Sequence, residues 1–370
     1  MSNAVRWGFL SAATIARKNW RALRYLDSAR LVAVASRSKS TAEKFIAECQ
    51  ADVPQGHEVE AVEGYDALLA RDDIDAVYVP LPTSVRAEWV IKAAEAGKHI
   101  VSEKPAAVDV ATMRRIADAV RAAGVMYMDG TMFPHSKRLS EIAAVINDAD
   151  EFGEVRRVVS NFSFATDPSF WGGNIRGSES LEPLGCLGDL GWYCTYFTLH
   201  AFGWKLPKSV RGVSHELTGH PAFAAGGSPP PVEFTAELEF DRGATANFYC
   251  SFIAENQEWA HVTGRKKSLR VDDFVLPFYA AETGFVVSKP VFRVACCHFH
   301  MERHDRLHQI VERSEGPLDG QEVNLFRTFT DCVQGRRVDT AWLDRTIAVQ
   351  SVISALFDSS LRGEKVEILH

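Results

Sequence analysis

Over its first third the chain alternates short, almost wholly apolar runs with longer stretches in which apolar residues return every three or four positions. Residues 5–10, 31–36, 75–80, 99–103 and 125–129 are the short runs. A strand that faces water on one side alternates apolar with polar residues. One buried on both sides stays apolar throughout, which is the habit of a parallel sheet. The intervening stretches, 15–25, 40–49, 84–96 and 109–123, carry helical spacing. Strands and helices in this order predict an α/β fold whose first domain, residues 1–127, is a doubly wound parallel sheet.

From about residue 154 the texture changes. Residues 155–165, 231–240, 245–252, 261–263 and 268–271 read as antiparallel strands joined by glycine-containing turns, and 224–231 as a surface loop. The tail, 320–334 and 341–361, returns to helix. Residues 128–370 are therefore expected to form a C-terminal α+β domain with a large, open, mainly antiparallel sheet.

Composition narrows the function classes. With 46% hydrophobic and 24% charged residues the chain can bury a sizeable core, and a net charge of −7 argues against nucleic acid as a partner. No apolar run approaches the roughly 20 residues that span a bilayer, so no membrane association is expected. Apolar strand pattern begins directly after Met1-Ser2-Asn3-Ala4, leaving no room for a signal peptide. Seven cysteines without framework spacing suit free thiols in a cytoplasmic protein.

Candidate chemistry begins where the first strand ends. A dinucleotide turn would fall on Ser11-Ala12-Ala13-Thr14-Ile15-Ala16, opening a helix whose N–H groups and dipole suit pyrophosphate. Against G-x-G-x-x-G/A, only Ala16 has the usual form; Ser11 and Ala13 replace two glycines. Ser11, Ala13, Thr14 and Ile15 are the candidate phosphate-binding positions, and an ordinary strand-to-helix turn is the alternative. At the end of the second strand stand Ser36 and Arg37 rather than the carboxylate that meets a free ribose 2′-hydroxyl. A hydroxyl and a guanidinium match a 2′-phosphate, which favours NADP, with NAD as the alternative.

Further along, Glu103-Lys104-Pro105 follows an apolar strand, and Gly188-Asp189-Leu190-Gly191-Trp192-Tyr193 sets a carboxylate and a phenol four residues apart. If that segment is one helix, both project from the same face. These motifs, together with residues 78–84 (Tyr-Val-Pro-Leu-Pro-Thr-Ser), 128–132 (Met-Asp-Gly-Thr-Met), 185–194 and 324–329, give the chain its likeness. It resembles the glucose–fructose oxidoreductase / inositol dehydrogenase / rhizopine-catabolism oxidoreductase family along nearly its whole length. Within it, the resemblance is to the branch of dimeric dihydrodiol dehydrogenase (D-xylose:NADP dehydrogenase) and its plant relatives.

The resemblance implies a Rossmann domain followed by a substrate-binding and dimerisation domain, a homodimer or dimer of dimers through the C-terminal sheet, and hydride transfer between NAD(P) and a sugar, polyol or cyclic diol. It adds Pro80, Leu81, Glu103 and Lys104 to the cofactor contacts. Many members carry histidine where this chain has Tyr193, and histidine again where it has Arg86, a position thereby left without a role. Oxidising a carbinol requires a base, and a phenol becomes one when a nearby ammonium favours the phenolate. Tyr193 is thus the expected acid/base and Lys104 its activator and cofactor contact, with Asp189 accepting a bond from substrate or orienting the pair. Arg176 either contacts substrate or holds a carboxylate; His135 is expected to line the substrate pocket, as is Phe133, for which core packing is the alternative.

The alternative is a non-catalytic nucleotide- or sugar-binding regulatory protein of the same fold. No metal is expected: Cys296, Cys297, His298, His300, His304 and His308 carry donor atoms, but 294–300 alternates like a strand and the later histidines sit among charges, as on a solvated edge.

Overall fold

A computed structural model describes residues 4–167, 170–215, 230–335 and 338–368. The proline-rich loop expected at 224–231 lies outside the described residues except for its last two positions. The chain forms two compact units, one of residues 1–135, 180–183 and 316–350, the other of 136–179, 184–315 and 351–370.

The first unit is built on β1 (Val5–Leu10), β2 (Ala29–Ser36), β3 (Glu60–Glu63), β4 (Ala76–Val79), β5 (His99–Ser102) and β6 (Tyr127–Asp129). They make a six-stranded sheet of order β3-β2-β1-β4-β5-β6, parallel at every pair. Connecting them are α1 (Ala16–Arg24), α2 (Lys39–Asp52), α3 (Tyr65–Leu69), α4 (Thr83–Glu95) and α5 (Val110–Ala123). The apolar runs became β1, β2, β4, β5 and β6 as expected. β3 and α3 were not foreseen, because β3 is an edge strand, Glu-Ala-Val-Glu, exposed at both ends.

Local signals fix the helix ends. The Asp109 carboxylate accepts from Thr112 N–H at 2.7 Å, and Gly124 closes α5 with φ 64°. The core of this unit also takes in α10 (Gln321–Gln334), whose Phe326 and Phe329 rings each lie 5.1 Å from Trp7 of β1.

The second unit holds a nine-stranded sheet. It comprises β7 (Val155–Ser163), β8 (Ser209–Ser214), β9 (Glu233–Glu239), β10 (Thr245–Ser251), β11 (Gln257–Gly264), β12 (Ser268–Val271), β13 (Thr283–Ser288), β16 (Asp305–Ile310) and β17 (Val366–Glu367). Every neighbouring pair is antiparallel except β7 with β10. Around it are α6 (Lys137–Ile146), α7 (Phe170–Gly173), α8 (Gly185–Asp189) and α9 (Gly191–Ala201), and α9 packs on β7 and β10. The last helix, α11 (Thr340–Arg362), is shared: up to Gln350 it belongs with the first unit.

Residues 294–300 are not one strand. The chain reverses at Cys296-Cys297, where Cys296 takes φ 56°, so that β14 (Val291–Ala295) pairs with β15 (His298–Glu302) as a separate hairpin. A left-handed turn in mid-run explains the difference, since the alternation simply continues in register on the returning strand. His300 and His304 both point at Glu302, at 3.1 and 2.9 Å.

Candidate active site

The strand order of the first unit reverses between β1 and β4, which leaves a crevice at the carboxyl ends of the strands. Register lines up what stands there. Leu10 pairs with Ala35, so Ser11 follows beside Ser36; Val79 pairs with Ser102, so Pro80 follows beside Glu103; Ser102 pairs with Asp129, so Gly130 comes next. The expected cofactor residues Ser11, Ser36, Pro80 and Glu103 therefore form one row, flanked by Ala13, Thr14 and Ile15 at the mouth of α1 and by Arg37, Leu81 and Lys104.

Ser11 has φ 146°, backbone territory that glycine occupies freely and other residues avoid. The side chain departs from the dinucleotide fingerprint, but the backbone keeps the conformation its first glycine supplies. The turn that follows winds straight into α1: Ala16, Arg17 and Lys18 donate their N–H groups to Ala13 O, Thr14 O and Ile15 O at 2.9, 3.1 and 3.2 Å, which leaves the turn of Ser11 to Ile15 as the part of the helix mouth that would meet a pyrophosphate. Beside them Ser36 is buried and Arg37 exposed at the entry to α2, whose Ser38 cap accepts from Thr41 N–H at 3.4 Å. The residues present thus fit a dinucleotide, with a cation and hydroxyls where a 2′-phosphate would lie.

Glu103 and Lys104 are held from several directions. Tyr78 donates its hydroxyl to Glu103 Oε1 at 2.6 Å, and burial beside that carboxylate pushes the phenol's pKa far upward, so it remains a donor. Gly130 passes so close that a Cβ there would lie 3.0 Å from Glu103 Oε1. The Lys104–Pro105 bond is cis. Arg86, 3% exposed, donates to Leu81 O (2.8 Å from Nε, 2.5 Å from Nη2), to Glu103 O at 2.8 Å and to Pro105 O. Its spacing to Val90 and Ala93 puts it on the buried stripe of α4, a cation at an apolar position, and that was the readable signal. Nothing local marks Glu182, which caps α4 from a distant segment by accepting from Thr83 N–H at 3.0 Å.

His135 lies on a short 3-10 turn, Phe133–His135, of the first unit. Its ring stacks on Trp342 at 4.7 Å, and burial together with Arg345 pushes its pKa down to about 3, so it is a neutral packed imidazole.

In the second unit, Arg176 Nε meets Asp189 Oδ2 at 2.7 Å, so Arg176 holds a carboxylate. Tyr193 is buried, its ring edge-on to Phe162 at 5.5 Å. The single helix expected through Asp189 and Tyr193 is two: α8 ends at Asp189, α9 begins at Gly191, and Leu190 caps both. Two glycines in four residues weaken the helix there.

Comparison with known proteins accounts for both units. Residues 5–131 match the family described as "Oxidoreductase family, NAD-binding Rossmann fold", and residues 141–270 match the "GFO/IDH/MocA C-terminal domain". The dTDP-3,4-didehydro-2,6-dideoxy-alpha-D-glucose 3-reductase of Saccharopolyspora spinosa is 36% identical over 278 residues, 75% of this chain and 77% of its own. The chain belongs to the GFO/IDH/MocA oxidoreductase family. The D-xylose 1-dehydrogenase (NADP(+)) 2 of Haloferax volcanii is 26% identical, with 83% and 85% of the two chains covered. Among solved structures, KijD10, a 3-ketoreductase from Actinomadura kijaniata in complex with NADP and TDP-benzene, superposes with a TM-score of 0.79 at 25% identity, covering 96% of this chain and 98% of its own. The chain is an oxidoreductase with the α/β architecture of this family. No helix among the described residues is long and apolar enough to cross a membrane.

Proposed function

We propose that this oxidoreductase transfers hydride between NADP(H) and the carbinol or keto carbon of a sugar, polyol or cyclic diol, with Lys104 and Tyr193 handling the proton. The observation that carries the reading is the row of Ser11, Ser36, Pro80 and Glu103 at the carboxyl edge of the parallel sheet, with Lys104 next in line. Nicotinamide C4 supplies the site for the hydride. Ser11, Ala13, Thr14 and Ile15 in the turn before α1 would hold the pyrophosphate, while Ser36 and Arg37 would hold the 2′-phosphate. Lys104, an ammonium at the end of β5, orients the substrate oxygen and lowers the cost of a phenolate. Tyr193 gives or takes the proton, and Asp189, fixed by Arg176, accepts from a neighbouring substrate hydroxyl.

The test is to offer NADP, or NADPH, with a panel of aldoses, cyclic diols and a dTDP-linked ketosugar, and to follow the absorbance of the reduced nicotinamide. Turnover with at least one class is expected; tight binding of NADP without turnover across the panel would make the chain a regulatory protein instead. Arg37→Ala should weaken NADP by about ten- to a hundredfold, the worth of a charge-assisted hydrogen bond, while leaving NAD unchanged.

The same reading makes the protein a cytoplasmic homodimer, or dimer of dimers, joined through the second unit. Its cysteines form no disulfide, in keeping with a reducing compartment. The β14–β15 hairpin presents Phe292, Val294, Phe299 and Met301 on one face, 57, 52, 72 and 69% exposed, an apolar surface that a partner subunit would cover. Light scattering should give at least twice the mass of the chain, and Phe299→Asp should reduce it. A monodisperse monomer at micromolar concentration would contradict this part.

A further inference from the structure

Arg86 carries a full charge into the interior and meets peptide carbonyls there. The last ladder bond of β5 toward β4 is Glu103 N–H to Val79 O at 3.2 Å. Beyond it the chain turns through Lys104, whose own N–H reaches back to Glu103 Oε2 at 3.3 Å, and Pro105, which has no N–H. Further along, Ala107 N–H donates to Gln350 Oε1 at 3.0 Å. Between these points, Arg86 grips the carbonyls on both sides of Lys104, Glu103 O and Pro105 O, with one nitrogen, Nη1. Its other two nitrogens hold Leu81 O in the loop after β4.

Only a guanidinium offers donors in a rigid planar fork that spans two loops at once. An imidazole has two nitrogens, and an ammonium has three donors around one point. The fork therefore ties the loop after β4 to the loop after β5.

We propose that Arg86 is the positioning residue for Lys104, setting through the carbonyls of Glu103 and Pro105 where that ammonium stands relative to Pro80 and Leu81. This rests on the reading of Lys104 as a cofactor contact. The test is a double-mutant cycle with two readouts, NADPH affinity from nicotinamide fluorescence and amide hydrogen exchange of the peptide covering 101–107. The variants are Arg86→Lys, Arg86→Met, Lys104→Met and the Arg86→Lys/Lys104→Met pair; Arg86→Lys keeps a buried cation should Arg86→Met fail to fold.

Exchange at 103–107 should rise about tenfold in Arg86→Lys, as expected for losing a charged hydrogen bond, with other peptides unchanged. NADPH affinity should fall in Arg86→Lys and in Lys104→Met, and the pair should be no weaker than Lys104→Met alone. If the two losses multiply, or exchange rises evenly over the whole first unit, Arg86 is a general stabiliser and the proposal falls. If Lys104→Met binds NADPH like the native protein, it is instead the Lys104 reading that is lost.

Discussion

Ser11 shows how much one residue's backbone can say. At φ 146° it endures strain of roughly 1–3 kcal/mol that glycine would not. Ser11→Gly should therefore raise unfolding free energy by about 1 kcal/mol in denaturant titrations with NADPH affinity retained. Ser11→Val should lose both, because a β-branched residue tolerates positive φ worst. Tyr193→Phe should remove nearly all turnover and spare NADPH binding; undiminished turnover would end its acid/base role. At this scale the sequence was legible in placement: Ser36 ends β2 with Arg37 next, and Lys104 stands two residues past β5, as the apolar runs predicted. It marked Arg86 only as a cation on an apolar stripe and left its role open, because that side chain works through peptide oxygens, which no sequence pattern displays. Glu182 was hidden for a similar reason: its partner, Thr83, is remote along the chain.

Among the elements, strands buried on both faces announced themselves, while the edge strand β3 and the β14–β15 hairpin did not. Periodicity reports burial, and edges have little of it. The break at Leu190 likewise escaped a reading that extended helix through Gly188 and Gly191. One element has a clear pH signature. Glu258 on β11 accepts from Leu276 N–H at 2.7 Å, and burial pushes its pKa up to about 7, with nearby Asp273 adding to the effect. The folded protein thus holds a proton that the unfolded chain releases near the ordinary glutamate value of 4.5. That contribution is complete below the unfolded pKa and is lost as pH rises through about 7. Glu258→Gln should accordingly change stability little near about pH 4 and raise it by roughly 2–3 kcal/mol near about pH 8, read from urea unfolding at both.

For the molecule as a whole, the two fold classes followed from alternation in one half and turn-separated strands in the other. What could not be read was the return of the chain: α10 shows an apolar stripe in sequence, yet only coordinates reveal that Phe326 and Phe329 cover Trp7 of the first strand. Long-range pairing of two apolar faces leaves no local mark. The function assigned to the whole rests on Lys104 and Tyr193 serving one reacting oxygen, and a crystal structure with NADP and a turned-over sugar or diol tests this most directly. The account predicts Lys104 Nζ and Tyr193 Oη both about 3 Å from the oxygen on the carbon that faces nicotinamide C4. Finding either group directed away from that oxygen, with another side chain in its place, would contradict it.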